Sequence, residues 1–156
     1  MEDKALLSTE VASGAEKAEL LIVIPAYNEA ENIERVVNHL TANFPQYDYV
    51  VVNDGSRDET AAICQRNGYN LLNLPVNLGL AGAFQAGLKY ADKYGYQYAV
   101  QLDGDGQHRP EYLESMIKKM EEGYDIVIGS RFVGEKKPFT MRMLGSNLIE
   151  MAIRFT

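Results

Sequence analysis

With 156 residues, 46% hydrophobic and 24% charged, the chain has the composition of one globular domain with a full core, which excludes both an intrinsically disordered segment and a pair of full-sized domains. Its 15 Lys and Arg against 22 Asp and Glu give a net charge of −7, which argues against a broad electrostatic grip on nucleic-acid phosphates. The single cysteine, Cys64, cannot form an internal disulfide and reads as a buried thiol, no apolar run reaches the roughly 20 residues of a membrane span, and the polar, acidic start lacks a signal-peptide pattern, so a cytoplasmic protein is expected.

Residues 1–18 lack sustained periodicity and read as a flexible N-terminal tail; residues 19–156 read as the domain. The run Leu20-Leu21-Ile22-Val23-Ile24, closed by Pro25, predicts a strand covered on both faces. Asn28 with Glu31 resembles an N-cap and its capping-box partner, and Ile33, Val36, Val37 and Leu40 supply the apolar stripe of a first helix. Tyr49–Val52 predicts a second strand, and Ser56 with Glu59 predicts the cap of a helix ending at Gly68. Asn70–Leu74 reads as a third strand, Leu80–Tyr94 as a helix, Tyr98–Leu102 as a fourth strand, Pro110–Glu122 as a helix with a Leu113, Met116, Ile117, Met120 stripe, and Asp125–Gly129 as a fifth strand. A last amphipathic helix runs through Met141, Leu144, Leu148, Ile149, Ala152 and Ile153.

Strands alternating with crossover-length helices predict an α/β domain with a mostly parallel sheet, in which ligands bind beyond the carboxyl ends of the strands. The polar signals fall at those ends: Pro25-Ala26-Tyr27-Asn28-Glu29, Asn53-Asp54-Gly55-Ser56, Asn77-Leu78-Gly79, Asp103-Gly104-Asp105-Gly106-Gln107-His108 and Gly129-Ser130-Arg131. Asp103 and Asp105, spaced by one glycine, suit a divalent cation with oxygen ligands; a polar turn is the plainer reading, and an EF-hand loop fails where His108 replaces its glycine. Asp54 reads either as a turn residue or as an acceptor for the N–H groups of a uracil or guanine, and Asp58 as a charge complementing a helix start. The segment Pro25–Glu29 offers a rigid exit, an aromatic face and a carboxylate, or simply a helix entry. Gly79, Gly82 and Gly87 match neither a P-loop nor a dinucleotide fingerprint and read as close packing of a helix on the sheet. Arg131 is the cation expected on the rim, for a phosphate or for solvent, and His108 either a ligand or a solvent-facing loop residue. Lys136, Lys137, Arg142 and Arg154 form a basic section, a face for anionic lipid or a solvated one.

Together and in order, IVIPAYNEAENI, VVNDGSRDET, NLGLAGAFQAG, QLDGDGQHRPEYL and IVIGSRF resemble the family 2 glycosyltransferases of GT-A fold, in the branch of dolichyl-phosphate mannose synthase and polyprenyl-phosphate glycosyltransferases, over about Leu20 to Phe132. The resemblance implies a three-layer α/β/α sandwich with a Rossmann-like nucleotide-binding half. It implies that Pro25, Tyr27 and Glu29 contact base and ribose, that Val52 and Asp54 hold the base, and that Asp103, Gly104 and Asp105 are a DxD motif. Asp103 and Asp105 would then carry Mg2+ or Mn2+ on the donor diphosphate, with Gln107 and Arg131 beside it. The implied reaction is inverting transfer of a sugar from a UDP- or GDP-sugar to an acceptor such as a polyprenyl phosphate, at the inner membrane face; the alternatives are a non-catalytic nucleotide-sugar-binding module and a sugar-nucleotide pyrophosphorylase, whose glycine-rich first loop is absent. The resemblance implies that members of this family continue past the last helix into a segment that supplies acceptor-site residues and, in many members, a base or an additional phosphate-binding arginine, so the chain reads as C-terminally truncated with its base beyond Thr156. The stripe in residues 139–156 is then expected to be uncovered and to drive self-association.

Overall fold

The computed structural model describes residues 19–104 and 110–129. The chain divides into two compact units, residues 1–117 and 118–156. In the first, β1 (Leu20–Ala26), α1 (Ile33–Asn43), β2 (Asp48–Asp54), α2 (Thr60–Arg66), β3 (Leu71–Leu74), α3 (Gly79–Lys93) and β4 (Tyr98–Gln101) follow one another, and a 3-10 turn at Pro110–Tyr112 leads into α4 (Leu113–Glu121), whose residues from Lys118 onward belong to the second unit. The sheet has the order β3-β2-β1-β4, and each neighbouring pair is parallel.

Every residue of β1 is buried, as its uninterrupted apolar run requires. Side chains alternate across the sheet, so Leu20, Ile22, Ile24 and Ala26 join a cluster with Ile33, Val37 and Leu40 of α1 and Ile63 and Cys64 of α2. Leu21 and Val23 join Val50, Val52 and, from α3, Ala83 and Ala91. This is the α/β/α layering that the resemblance implied. Burial pushes the Cys64 thiol up to about 11, so it remains an uncharged core group. Gly87 brings α3 onto the sheet, since a Cβ there would lie 2.3 Å from Val23 Cγ1. The same packing expectation is corrected for Gly79, which has open space around it, and for Gly82, whose Cβ would meet only the Leu78 side chain at the start of its own helix.

The ladder between β1 and β4 ends abruptly. Leu102 N–H donates to Val23 O at 3.0 Å, so the backbone of Val23, and by alternation that of Pro25, faces β4. Proline has no N–H for the next rung. The two strands therefore stop pairing where their exits begin.

Three local expectations are corrected. Asn28 does not cap α1: it adopts φ +57 and uses its side chain on another loop, while the N–H groups of Asn32 and Ile33 turn onto Glu29 O. Ser56 does not cap α2, which starts at Thr60 without a side-chain cap from its flanking Glu59; Ser56 Oγ instead accepts from Asn28 N–H. Asp125–Gly129, in the second unit, is not a strand. Its alternation favours one, but a strand persists only by ladder pairing and burial, and Ile126 and Ile128 are 78% and 84% exposed. In the same unit Lys119 Nζ pairs with Glu122 Oε2 at 2.7 Å at the end of α4. The tail, Asp105, Gln107, His108, Arg131, the basic section and the helix through residues 139–156 lie outside the described residues.

Candidate functional site

The chain leaves β1, builds β2 and β3 on one side of it, and then crosses to build β4 on the other. Such a reversal leaves a crevice at the carboxyl ends of the two central strands. Here it is an open cleft of about 430 Å³ lined by Pro25, Ala26, Tyr27 and Glu29 after β1, Asp54 at the end of β2, Asn77, Gly79, Leu80 and Ala83 around the start of α3, and Asp103 and Gly104 after β4. Six of the ten predicted site residues, Pro25, Tyr27, Glu29, Asp54, Asp103 and Gly104, thus share one cavity. Val52 does not line it. It is fully buried beneath α3, because a residue two positions before Asp54 still lies inside the covered strand. Asn77, Leu80 and Ala83 were not singled out in the sequence; the signal was the placement of the Asn77-Leu78-Gly79 loop on the same rim.

The three carboxylates of the lining are held by hydrogen bonds. Asp54 is only 3% exposed, and its Oδ1 accepts the Leu78 N–H at 2.7 Å, tying the end of β2 to the start of α3. Glu29 Oε2 accepts from Asn32 Nδ2 at 2.9 Å, and Asp103 Oδ1 from Gln101 Nε2 at 3.0 Å. Gly104 packs against the β1 exit, where a Cβ would lie 3.1 Å from Pro25 O and 3.4 Å from Glu29 Cγ. Tyr27 is 44% exposed and lines the cleft. Three carboxylates, Glu29, Asp54 and Asp103, thus border one cavity. Among the described residues no group of three or more His, Cys, Asp or Glu is arranged to hold a metal ion.

A second set of contacts fixes the loop after β1 to the loop after β2. Asn28 N–H donates to Ser56 Oγ at 3.0 Å, Arg57 N–H to Asn28 Oδ1 at 2.9 Å, Glu29 N–H to Thr60 Oγ1 at 2.9 Å, and Ala30 N–H to Asp58 Oδ2 at 3.1 Å. Asp58 also accepts the Thr60 N–H at 3.0 Å, the helix-start role expected of it. Its slight burial pushes the Asp58 carboxyl up, but the Thr60 hydroxyl, the Thr60 N–H and the Ala30 N–H outweigh that and hold it below the usual 3.8. A carboxyl depressed in the folded state stabilises fully above its unfolded pKa and loses that contribution as pH falls through the folded value. Stability should therefore drop as pH falls below 3.8, less steeply in Asp58→Asn, in thermal melts taken across the acid range. Identical pH dependence in the two proteins would show that this carboxylate does not contribute to the acid transition.

Comparison with known proteins agrees with this architecture. Residues 21–155 match the sequence profile described as Glycosyl transferase family 2. The chain is 34% identical over 119 residues to the polyprenol monophosphomannose synthase of Mycolicibacterium smegmatis, covering 72% of this chain and 45% of that one. It is 34% identical over 119 residues to the undecaprenyl-phosphate mannosyltransferase of Micrococcus luteus, covering 73% and 49%. The chain spans about half the length of these curated relatives. Among solved structures, TarS 1–349 of S. aureus in complex with UDP superposes with a TM-score of 0.54 at 26% identity, over 78% of this chain and 38% of that one. A parallel sheet reversing at β1 and β4, a cleft at its carboxyl rim and a profile match over nearly the whole sequence lead to the same result: the chain belongs to glycosyltransferase family 2.

Proposed function

We propose that this chain builds the donor side of a metal-dependent, inverting glycosyltransferase that moves a sugar from a UDP- or GDP-sugar to a polyprenyl phosphate at the inner surface of a membrane. The observation that carries the reading is the meeting of Tyr27, Glu29, Asp54, Asp103 and Gly104, from three strand exits, in one cleft at the switch point. Tyr27 offers a stacking face for the base, and Asp54 has a carboxylate oxygen beyond the one on Leu78 to accept from a base N–H. Glu29 takes the ribose hydroxyls. Gly104, with no side chain, lets the diphosphate approach the backbone between the β1 and β4 exits.

A diphosphate entering a cleft bordered by three carboxylates needs a cation to bridge it. Carboxylate oxygen is the donor that Mg2+ and Mn2+ prefer, and Asp103 presents one in the cleft, so the donor chemistry fits. Asp103 and Asp105 would hold the ion, which when bound neutralises charge developing on the departing diphosphate. Gln107 and Arg131 are assigned to the same group, Arg131 as a fixed cation for the leaving phosphates. In the transfer, an acceptor phosphate oxygen forms a bond to the anomeric carbon from the face opposite the departing diphosphate. The carbon–oxygen bond to the diphosphate breaks as it forms, and the leaving group takes the electron pair. A phosphate acceptor is already a nucleophile, so no general base is required of this chain.

The UDP complex of TarS and a further TarS 1–349 structure with UDP-GlcNAc, at 26% identity and a TM-score of 0.52, support the uridine form of the donor. The names of the Mycolicibacterium and Micrococcus relatives support a mannosyl group and a polyprenyl phosphate acceptor. Among the described residues no helix is long and apolar enough to cross a membrane. Calorimetry tests the core of the proposal: UDP or GDP should bind in Mn2+, and Asp105→Asn should lose most of that affinity by removing one charged ligand. Equal affinity in EDTA would overturn metal dependence.

A further inference from the structure

Tyr27 and Glu29 line the cleft, and the residue between them does not. Asn28 lies outside that lining set, in the left-handed region at φ +57, where asparagine is among the few side chains tolerated without large strain. Its backbone N–H reaches Ser56 Oγ, and its Oδ1 receives the Arg57 N–H, so one residue both gives to and takes from the loop after β2. The next two N–H groups continue the seam onto Thr60 and Asp58, both at the start of α2. Thr60 is itself fully buried, and its hydroxyl donates to Asp58, so the receiving side is anchored in the core rather than on a free loop.

We propose that Asn28 is a positioning residue: it joins the Tyr27–Glu29 segment to the exit of β2, so that the stacking ring and the carboxylate after β1 stand in fixed register with Asp54 across the cleft. The inference deepens the nucleotide reading above and rests on it. Neither a cap nor a ligand-contacting role accounts for Asn28, since α1 begins five residues later and Asn28 is not among the residues that line the cleft. The combination of a positive φ with a side-chain acceptor narrows the choice of residue: glycine satisfies the first demand alone, alanine neither, and aspartate both.

The test uses the whole chain with Asn28→Gly, Asn28→Ala and Asn28→Asp, read by two measurements. The first needs no ligand: hydrogen exchange at the amides of Glu29, Ala30 and Arg57. These should exchange about fivefold faster or more in Asn28→Gly, the equivalent of one net hydrogen bond, while the β1 and β2 amides keep their protection. The second is the affinity for UDP and GDP, which should fall about fivefold in Asn28→Gly, further in Asn28→Ala, and return to near the parent value in Asn28→Asp. Recovery by aspartate together with an intact core distinguishes positioning from general stability. Unchanged exchange at Glu29, Ala30 and Arg57 in Asn28→Gly overturns the clasp whether or not a nucleotide binds. A parent chain that binds neither nucleotide overturns the donor-site reading, and exchange alone then decides whether Asn28 holds the loop. Loosened amides with undiminished affinity overturn the positioning role.

Discussion

Gly55→Ala should destabilise the free protein by about 2–5 kcal/mol, seen as a lower denaturant midpoint at unchanged slope. Two independent penalties combine at this position. The backbone sits at φ +65, in a region that costs an L-residue with a Cβ roughly 1–2 kcal/mol. A Cβ there would lie 2.6 Å from Asn77 N and 2.7 Å from Val76 C, and both are backbone atoms that cannot rotate away. Overpacking of this kind typically adds about 1–3 kcal/mol. Gly55→Asn tests the division, because asparagine tolerates the left-handed region and still carries the Cβ: it should recover the first penalty and keep the second. Wild-type stability in Gly55→Ala would mean that the loops after β2 and β3 are not in contact. The effect also reaches the cleft, since the chain that Gly55 lets approach is the one that brings the Leu78 N–H onto Asp54.

How much of this was legible beforehand follows from the range over which each signal acts. The uninterrupted run through Ile24 announced a strand buried on both faces, and both faces are indeed filled, by α1 and α2 on one side and α3 on the other. Polar residues following each strand announced the rim, because a parallel sheet places every strand exit on one side. What failed were assignments in which a short motif had competing partners. Asn28 and Ser56 each have a residue three positions later that suits a capping box, yet they bond to each other's loops across 28 residues, and no local pattern reports that contact. Three glycines of α3 look alike in sequence, and only Gly87 faces a strand side chain at contact distance. Ile126 and Ile128 alternate as strand residues do, but a strand is completed by a partner, and the alternation does not supply one. Val52 marks the opposite limit: the resemblance moved a nucleotide role onto it, and burial places its side chain in the core beneath α3.

Asp54→Asn should keep most of the stability of the free protein and lose affinity for UDP or GDP, by about 1–3 kcal/mol, while Asp54→Ala should lose both. Asp54 accepts the Leu78 N–H at 2.7 Å from a position only 3% exposed. Alanine leaves that N–H without its acceptor, at a cost of about 1–3 kcal/mol, and frees the start of α3 from the end of β2. Asparagine retains an oxygen for Leu78 and removes the charge, so it isolates the part of the carboxylate that faces the cleft. Its amide also offers a donor where the base presents N–H groups, which turns an attraction into an unpaired contact. Calorimetry with each nucleotide, beside thermal melts of the unliganded variants, separates the two roles. If Asp54→Asn binds both nucleotides as the parent does, Asp54 is a brace between β2 and α3, and the base must be held by the groups left in the cleft, Tyr27 and Glu29.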